Sequence, residues 1–405
     1  MSELGEHRLT VELEKTGEVF DNVQSYRLNS NYLTPTDEWE FVVYDHDNPA
    51  ALRRIWQPWQ RVKLYIDGEL QVIGRIDETE GVGASSSALA VRGRDHLAEL
   101  VDGGADPSIR FTEKMDLGAA LLLLFRPFGI KTLVGSFNLT RNLLTGRVPY
   151  VGDIRRDFRA AQMKEFSVGQ NMGAFEVGDK IVSRHGFTIQ SGGSRDSLAI
   201  VEPLFGQEPL YELNRPGNVL TGKARRGYAD VPTVTIATCR LGSTGGKLGS
   251  GLAEFPSFGE EAPNEIGKND EVKRIAFGNL TGGEIPNVFI SRIDWKQDLS
   301  PASGGILYKP LFYEDKESRT QEQLERGLRR ELSRRMKDTL VYTCNVRGHR
   351  DPISKAVYAI DTVAAVNDEI EDVNENMWLL DRTFSNDGKG PVTDMQFVRP
   401  GSIAL

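Results

Sequence analysis

The sequence predicts a mainly β fold with α+β parts, and three observations carry that reading. Apolar and polar residues alternate through much of residues 1–94 and again from about 209 onward, with 41 glycines in the chain to supply turns between short strands. Helical periodicity is confined to a few windows, only one of them long. Period-two alternation places every second side chain on one face, as in a strand buried on one side, whereas a helix repeats every 3.6 residues.

In order along the chain, LTVEL (9–13) alternates Leu9, Val11 and Leu13 with polar residues, and EFVVYD (40–45) follows as a second strand. RVKLYIDGELQVIGRI (61–76) predicts a hairpin: Val62, Leu64 and Ile66 run up to Asp67-Gly68, and Leu70 and Val72 run away from it. Asp-Gly supplies the positive φ angles of a two-residue turn. ALAVRGRD (88–95) closes this set, whose spacing fits a small barrel or sandwich.

At Asp95 the period turns helical. Leu97, Leu100 and Val101 form an apolar face, and Asp95 stands where a capping carboxylate accepts free amide N–H groups. Arg94, Asp95 and His96 are also residue types that perform catalysis or bind phosphate and metals. A cap explains the position of Asp95 without a second catalytic group, so Arg94, Asp95, Leu97, Leu100 and Asp102 are expected to form a structural joint between strand and helix. On that footing Asp95→Ala costs about 1 kcal/mol.

A mixed segment spans 102–206. It holds an apolar helix within 113–125, a loop-rich stretch at NLTRNLLTGRVPYVGD, a short helix with Phe175, Ile181 and Val182, and strands at 187–190 and 196–203. Strands return at 209–240, with Val234 and Ile236 alternating. Residues 241–315 change composition, with GSTGGKLGSG and few strands beyond NVFISRIDW (287–295). The charged helix SRTQEQLERGLRRELSRRMKD (318–338) carries Leu324, Leu328, Leu332 and Met336 on one face. The chain then ends in strands and a hairpin through Asp387-Gly388.

Composition excludes several functions. The 405 residues allow two to four domains of ordinary globular make-up, and the net charge of −9 gives no footprint for gripping nucleic acid. Cys239 and Cys344 are too few for a disulfide framework, and the five histidines make no metal-ligand pair, so neither a metal nor another cofactor is expected. MSELGEHRLTVELEKTGE has charges where a signal peptide is apolar, and LGAALLLLF (117–125) is too short to span a bilayer, so a soluble protein without membrane contact is expected.

Two motifs fail on their chemistry. GHRDPISKA (348–356) begins like a kinase catalytic loop, but Ala356 stands where a magnesium-binding Asn is needed. LGSTGGKLGSG (241–251) has Leu248 where a P-loop needs Ser or Thr. Glu369 and Glu371 are the best carboxylate pair for a cell-wall glycosidase, the alternative reading, but in an acidic chain such pairs are usually surface charge.

The order of these pieces resembles the baseplate hub proteins of phage tails, the Mu-like gpP family, related in fold to hub domains of type VI secretion spikes. The stretch V-x-G-R-D-x-L-x-x-L-V-D (91–102) carries the resemblance most sharply, followed by Asn218-Val219-Leu220, the strand ending Val346-Arg347-Gly348-His349, and the terminal MQFVRPG. Relatives often have Trp where this chain has His349. The resemblance implies two tail-tube-like β-barrels, at 1–101 and at 207–240 with 316–405, a mixed α/β domain at 102–206, and an inserted loop-rich domain at 241–315. It further implies a non-enzymatic homotrimer, a pseudo-sixfold ring in the virion tail baseplate, assembled in the host cytoplasm. Its implied partners are the tail tube protein above, the spike protein below, other baseplate proteins, and DNA passing through the lumen without specific binding.

Overall fold

The computed structural model describes residues 8–45, 49–82, 87–112, 115–135, 166–227, 230, 232, 234–240, 288–294, 310–315 and 321–402. They fall into two compact units, 1–225 with 340–400 and 226–339 with 401–404. The loop-rich expectations for 138–153 and 241–287, and with them the P-loop-like stretch, lie outside the described residues.

The first unit opens with β1 (Leu9–Leu13), β2 (Glu18–Phe20), β3 (Val23–Asn31), β4 (Glu38–Tyr44), helix α1 (Pro49–Ile55), β5 (Arg61–Ile66), β6 (Glu69–Val82) and β7 (Ala88–Asp95). The β5–β6 turn has φ of 51° at Asp67 and 79° at Gly68, as the Asp-Gly signal requires. Then come α2 (Ala98–Asp102), β8 (Arg110–Phe111), α3 (Leu117–Phe125), β9 (Thr132–Gly135), β10 (Phe166–Ser167), α4 (Ala174–Ser183), β11 (Thr188–Ser191), β12 (Ser197–Val201), β13 (Tyr211–Arg215) and β14 (Val219–Arg226). Helix α3 starts where Asp116 accepts the Ala119 amide at 2.7 Å. The second unit holds β15 (Val234–Arg240), β16 (Val288–Asp294), β17 (Pro310–Asp315) and helix α5 (Gln321–Met336). There β15 lies between antiparallel β16 and parallel β17, and α5 buries Leu328 and Leu332. The first unit resumes with β18 (Leu340–Arg347), β19 (Val363–Asp368), β20 (Val373–Asn386) and β21 (Pro391–Val398).

Thirteen of the strands make one sheet, ordered β14-β18-β21-β20-β3-β4-β7-β6-β5-β1-β2, with β19 paired to β20 and β13 to β19. The strand β20 is the pivot. Its first half, Val373–Trp378, pairs with β19; past an irregularity between Leu379 and Asp381, its second half pairs with β3. A strand set from the start of the chain is thereby stitched edge to edge to one from the end. Both share one apolar core, from Leu9 and Val11 through Phe41 and Trp56 to Tyr342, Phe384 and Phe397. The mixed segment has its own core, in which Leu121, Leu124 and Phe125 of α3 meet Val177 and Ile181 of α4 and Leu198 and Ile200 of β12.

The expectation of closed barrels is corrected in one respect. The Cα atoms of β1 come within 8 Å of β3, so the first half is strongly curled, but the two strands do not pair and the hydrogen-bond path stays open. Right-handed twist curls a sheet of this size by itself. Closure would need β3 to leave β20, which holds its other edge.

Candidate functional site: a strand-to-helix joint and the seam between sheet halves

The joint is built on two glycines beneath one tryptophan. Trp39 of β4 lies directly opposite Gly93 of β7. A Cβ at Gly93 would stand 2.0 Å from the Arg75 carbonyl oxygen and 2.3 Å from Trp39 Cζ2; one at Gly74 would stand 2.3 Å from the Arg94 oxygen and 2.8 Å from Trp39 Nε1. The indole, 3% exposed and stacked on Phe41 at 5.6 Å, therefore occupies space that only paired glycines leave. This is the physical content of the glycine in V-x-G-R-D.

After each glycine comes an arginine, and Arg75 and Arg94 face each other across β6 and β7. Two carboxylates hold these like charges together. Asp77 takes Arg75 Nε at 2.9 Å and Arg94 Nε at 2.7 Å, while Asp102 at the end of α2 accepts two bonds from Arg94, at 3.0 and 2.8 Å, and one from Arg75. The forked Arg94–Asp102 pair is the strong geometry for such a contact. Bonding to Asp102 and then Asp77 holds the Arg94 guanidinium above its usual range, and bonding to Arg94 holds the Asp102 carboxyl below its own. The sequence shows Arg94 and Asp102 but hides Arg75 and Asp77. The repeated Gly-Arg at 74–75 and 93–94 was the signal for them.

Asp95 is the last residue of β7 and accepts the Leu97 amide at 3.1 Å. Leu97 occupies the cap position of α2 with no side-chain bond of its own, so the carboxylate acts two residues earlier than an N-cap. Burial first, and then the charge of Asp37, push the Asp95 carboxyl well above its usual range, and burial pushes Asp37 up to about 6. His96 is buried too, with Nε2 3.3 Å from the Ser197 carbonyl oxygen and Nδ1 3.4 Å from Ser191 Oγ, so it fastens the mixed segment to the sheet. Burial lowers its pKa. Leu97 and Leu100 enter the core of the mixed segment.

A second polar cluster crosses the seam. Arg382 of β20, 3% exposed, donates to the Tyr358 carbonyl at 2.6 Å, Ser30 Oγ of β3 at 2.9 Å and Gln71 Oε1 of β6 at 3.2 Å. Ser30 in turn donates to Asp37 at 2.9 Å. Burial lowers the Arg382 pKa to about 10, against the pull of Asp37. Nearby, His349 meets Tyr26 Oη at 2.7 Å and Thr393 Oγ1 at 2.9 Å, and Arg350 bonds Asp67 at 3.1 Å and pairs with Glu69 at 2.7 Å. The kinase-like stretch GHRDPISKA is thus a seam loop: Asp351 ties its own Ile353 and Ser354 amides.

The glycosidase pair lies in the β19–β20 turn. Glu371 accepts the Ala224 amide at 2.9 Å, and Glu369 lies in the same tight turn, held where Asp368 Oδ1 accepts the Ile370 and Glu371 amides at 3.0 Å each. Among the described residues no group of three or more His, Cys, Asp or Glu side chains could hold a metal, and no helix is long and apolar enough to cross a membrane.

The outward face of the seam is polar across five strands. One cross-strand row reads Asn31, Asp381, Gln396 and Thr343; the next reads Asn29, Thr383, Asp394 and Asn345, and Thr221 bonds Asn345 at 2.9 Å. Asn31 bonds Asp381 at 2.7 Å and Asn29 bonds Thr383 at 2.8 Å. The charges in these rows are the carboxylates Asp381 and Asp394; the adjoining row on the same face carries the exposed Arg27 and Arg347, and the exposed Lys223 of β14 lies beside Thr343.

Residues 10–95 match the family model of the Mu phage baseplate assembly protein GpP-like N-terminal domain. Over its length the fold is similar to a 43 kDa tail protein of prophage MuSo2 from Shewanella oneidensis, with TM-score 0.67 and 16% identity over 98% of this chain and 99% of that one. A tail protein from Neisseria meningitidis MC58 gives TM-score 0.66 at 14% identity, with 99% of both chains covered. A type VI secretion component, the c3393 protein of E. coli, described as structurally similar to bacteriophage T4 tail proteins gp27 and gp5, gives TM-score 0.50 at 7% identity over 98% of this chain and 78% of that one. No curated protein matches the chain.

Proposed function

We propose that this chain, with its Mu phage baseplate GpP-like N-terminal domain and tail-protein fold, is a structural baseplate hub that joins a sixfold tail tube to a threefold spike. One observation carries the reading: a single sheet contains two strand sets, one from each end of the chain, stitched through β20 and β3. A protomer offering two such sets lets three copies present six similar faces, so that a threefold ring meets a sixfold one. The two strand sets, of which the first is curled, then stand in for the two tail-tube-like barrels.

The polar rows at the seam suit the wall of a channel. Hydrated Asn, Thr and Gln side chains in these rows offer passing DNA no apolar grip. DNA would pass without specific binding, the tube protein would sit above the ring and the spike protein and other baseplate proteins below, and the protein would reside in the virion tail after assembly in the host cytoplasm. The work is mechanical.

The test is the mass of the purified chain, alone and with its spike protein, followed by negative-stain imaging. A trimer that images as a ring with a central opening is expected. A chain that stays monomeric at all concentrations, with and without the spike protein, would overturn the reading.

A further inference from the structure

Two exposed features of the first unit are complementary. Trp59 is 75% exposed, yet its backbone is held at φ 70°, a conformation that a bulky residue adopts only when its surroundings impose it. The Trp59 amide donates to the Ile76 carbonyl at 2.7 Å, and the Ile76 amide donates to that of Gln60 at 2.8 Å. The Arg75 guanidinium, already committed to Asp77 and Asp102, lies 4.7 Å from the indole centroid and fixes one face of the ring. Just before it, at the end of α1, stand Arg53 and Arg54, both exposed and neither in an ion pair with any described residue. Gln57 Nε2 donates to the Arg53 carbonyl and ties this helix end to the Trp59 loop. A chain of net charge −9 thus carries a rigid exposed aromatic a few residues after two exposed arginines that pair with no described residue.

The β19–β20 turn is its counterpart in charge. Ile370 is 67% exposed at its tip, Glu369 is exposed beside it without an ion pair to any described residue, and Glu371 and Asp372 follow. The turn is stiff: Asp368, 1% exposed, accepts two of its amides, the Glu369 amide donates to the Arg215 carbonyl at 3.1 Å, and Asp372 sits at φ 53°. One feature comes from the N-terminal strand set and the other from the C-terminal one.

We propose that the acidic turn Glu369–Ile370 of one copy docks on Trp59, Arg53 and Arg54 of the next copy. Because the two surfaces differ, the contact is head-to-tail, the kind that generates rings when its rotation closes. Both partners are pre-ordered, which lowers the entropic cost of association, and a tryptophan flanked by arginines is the composition of an interface anchor. The inference rests on the ring reading and names the surfaces that would close it.

The test measures self-association of the full chain by sedimentation or mass photometry. Trp59→Gly is the informative variant, because glycine is at home at φ 70° and the change removes the indole without straining the fold. Trp59→Gly and Ile370→Ser should each weaken association by roughly 30-fold or more, with thermal midpoints equal to that of the parent when all are measured at a concentration low enough for the parent to be monomeric. Arg53→Glu with Arg54→Glu should weaken it as well, and adding Glu369→Lys to that pair should restore it by exchanging the charges. A parent that forms rings while these variants associate just as well would overturn the inference and leave the ring reading standing. A parent that never associates would overturn the ring reading and the inference with it. If Trp59→Gly instead loses binding to a single-stranded oligothymidine while association is unchanged, the patch is a nucleic-acid surface and the inference falls.

Discussion

Replacing Gly93 by alanine tests the packing of the joint. The added Cβ would lie 2.0 Å from the Arg75 carbonyl oxygen and 2.3 Å from Trp39 Cζ2, more than an ångström inside ordinary contact at both. Neither neighbour yields cheaply. The Arg75 oxygen is backbone within the β6–β7 pairing. The indole is flat against Phe41, with ring planes 11° apart. Expelling Trp39 would forfeit roughly 150–250 Å² of burial, about 4–6 kcal/mol at 25 cal/mol/Å². Parting the strands would leave buried amides unpaired at about 1–3 kcal/mol each. The cheaper route still costs about 3 kcal/mol, the upper end for overpacking. Denaturant unfolding followed by far-UV circular dichroism measures this, with Gly104→Ala, where a Cβ meets open space, as the control near zero. Adding Trp39→Val should recover only part of the loss, because the Arg75 oxygen remains. A Gly93→Ala protein within about 0.5 kcal/mol of the parent would refute the account of the motif glycine.

Other perturbations have defined outcomes. Arg382→Met removes donors to Ser30, Gln71 and Tyr358 and leaves Asp37 without its nearby cation, so it should cost about 3–5 kcal/mol in denaturant unfolding and raise protease sensitivity. Asp95→Asn keeps an acceptor for the Leu97 amide and removes a charge that burial disfavours. The raised carboxyl pKa gives stability at low pH that is lost as pH rises through the folded-state value, so the variant should exceed the parent most at pH 7.5 and least near pH 4 in thermal midpoint. His96 acts with the opposite sign: its lowered pKa gives stability that is present above about 6.5 and lost as pH falls. A His96→Asn protein should therefore lose less stability than the parent between pH 7 and 5.5.

What the sequence showed and what it hid divide along physical lines. Local signals were legible: the Asp67-Gly68 turn, the apolar helix that became α3, and the switch from strand to helix at Asp95 depend on neighbours within a few residues. The strand β3 was missed because its inward face carries Ser30, a polar residue that is buried only because Arg382 meets it there. Helix α1, at seven residues, has too little period to recognise. Asp95 was expected at the cap but stands two residues before it, because its partner amide, that of Leu97, belongs to the turn before the helix. The charge cluster was half visible, since Arg94 and Asp102 lie eight residues apart across one joint while Arg75 and Asp77 arrive only through the β6–β7 register. The seam joins residues some 350 positions apart, Asn31 with Asp381 and Asn29 with Thr383, and no local pattern announces such a meeting.

That stitching has a mechanical consequence. Two lobes linked by a loop can swing independently, but here six residue pairs from Tyr26–Asn386 to Asn31–Asp381 bind them side by side along their length. A pull along the strands loads this row in shear, so many hydrogen bonds resist together and none opens first. The angle between the lobes is then a property of sheet twist, inherited at folding.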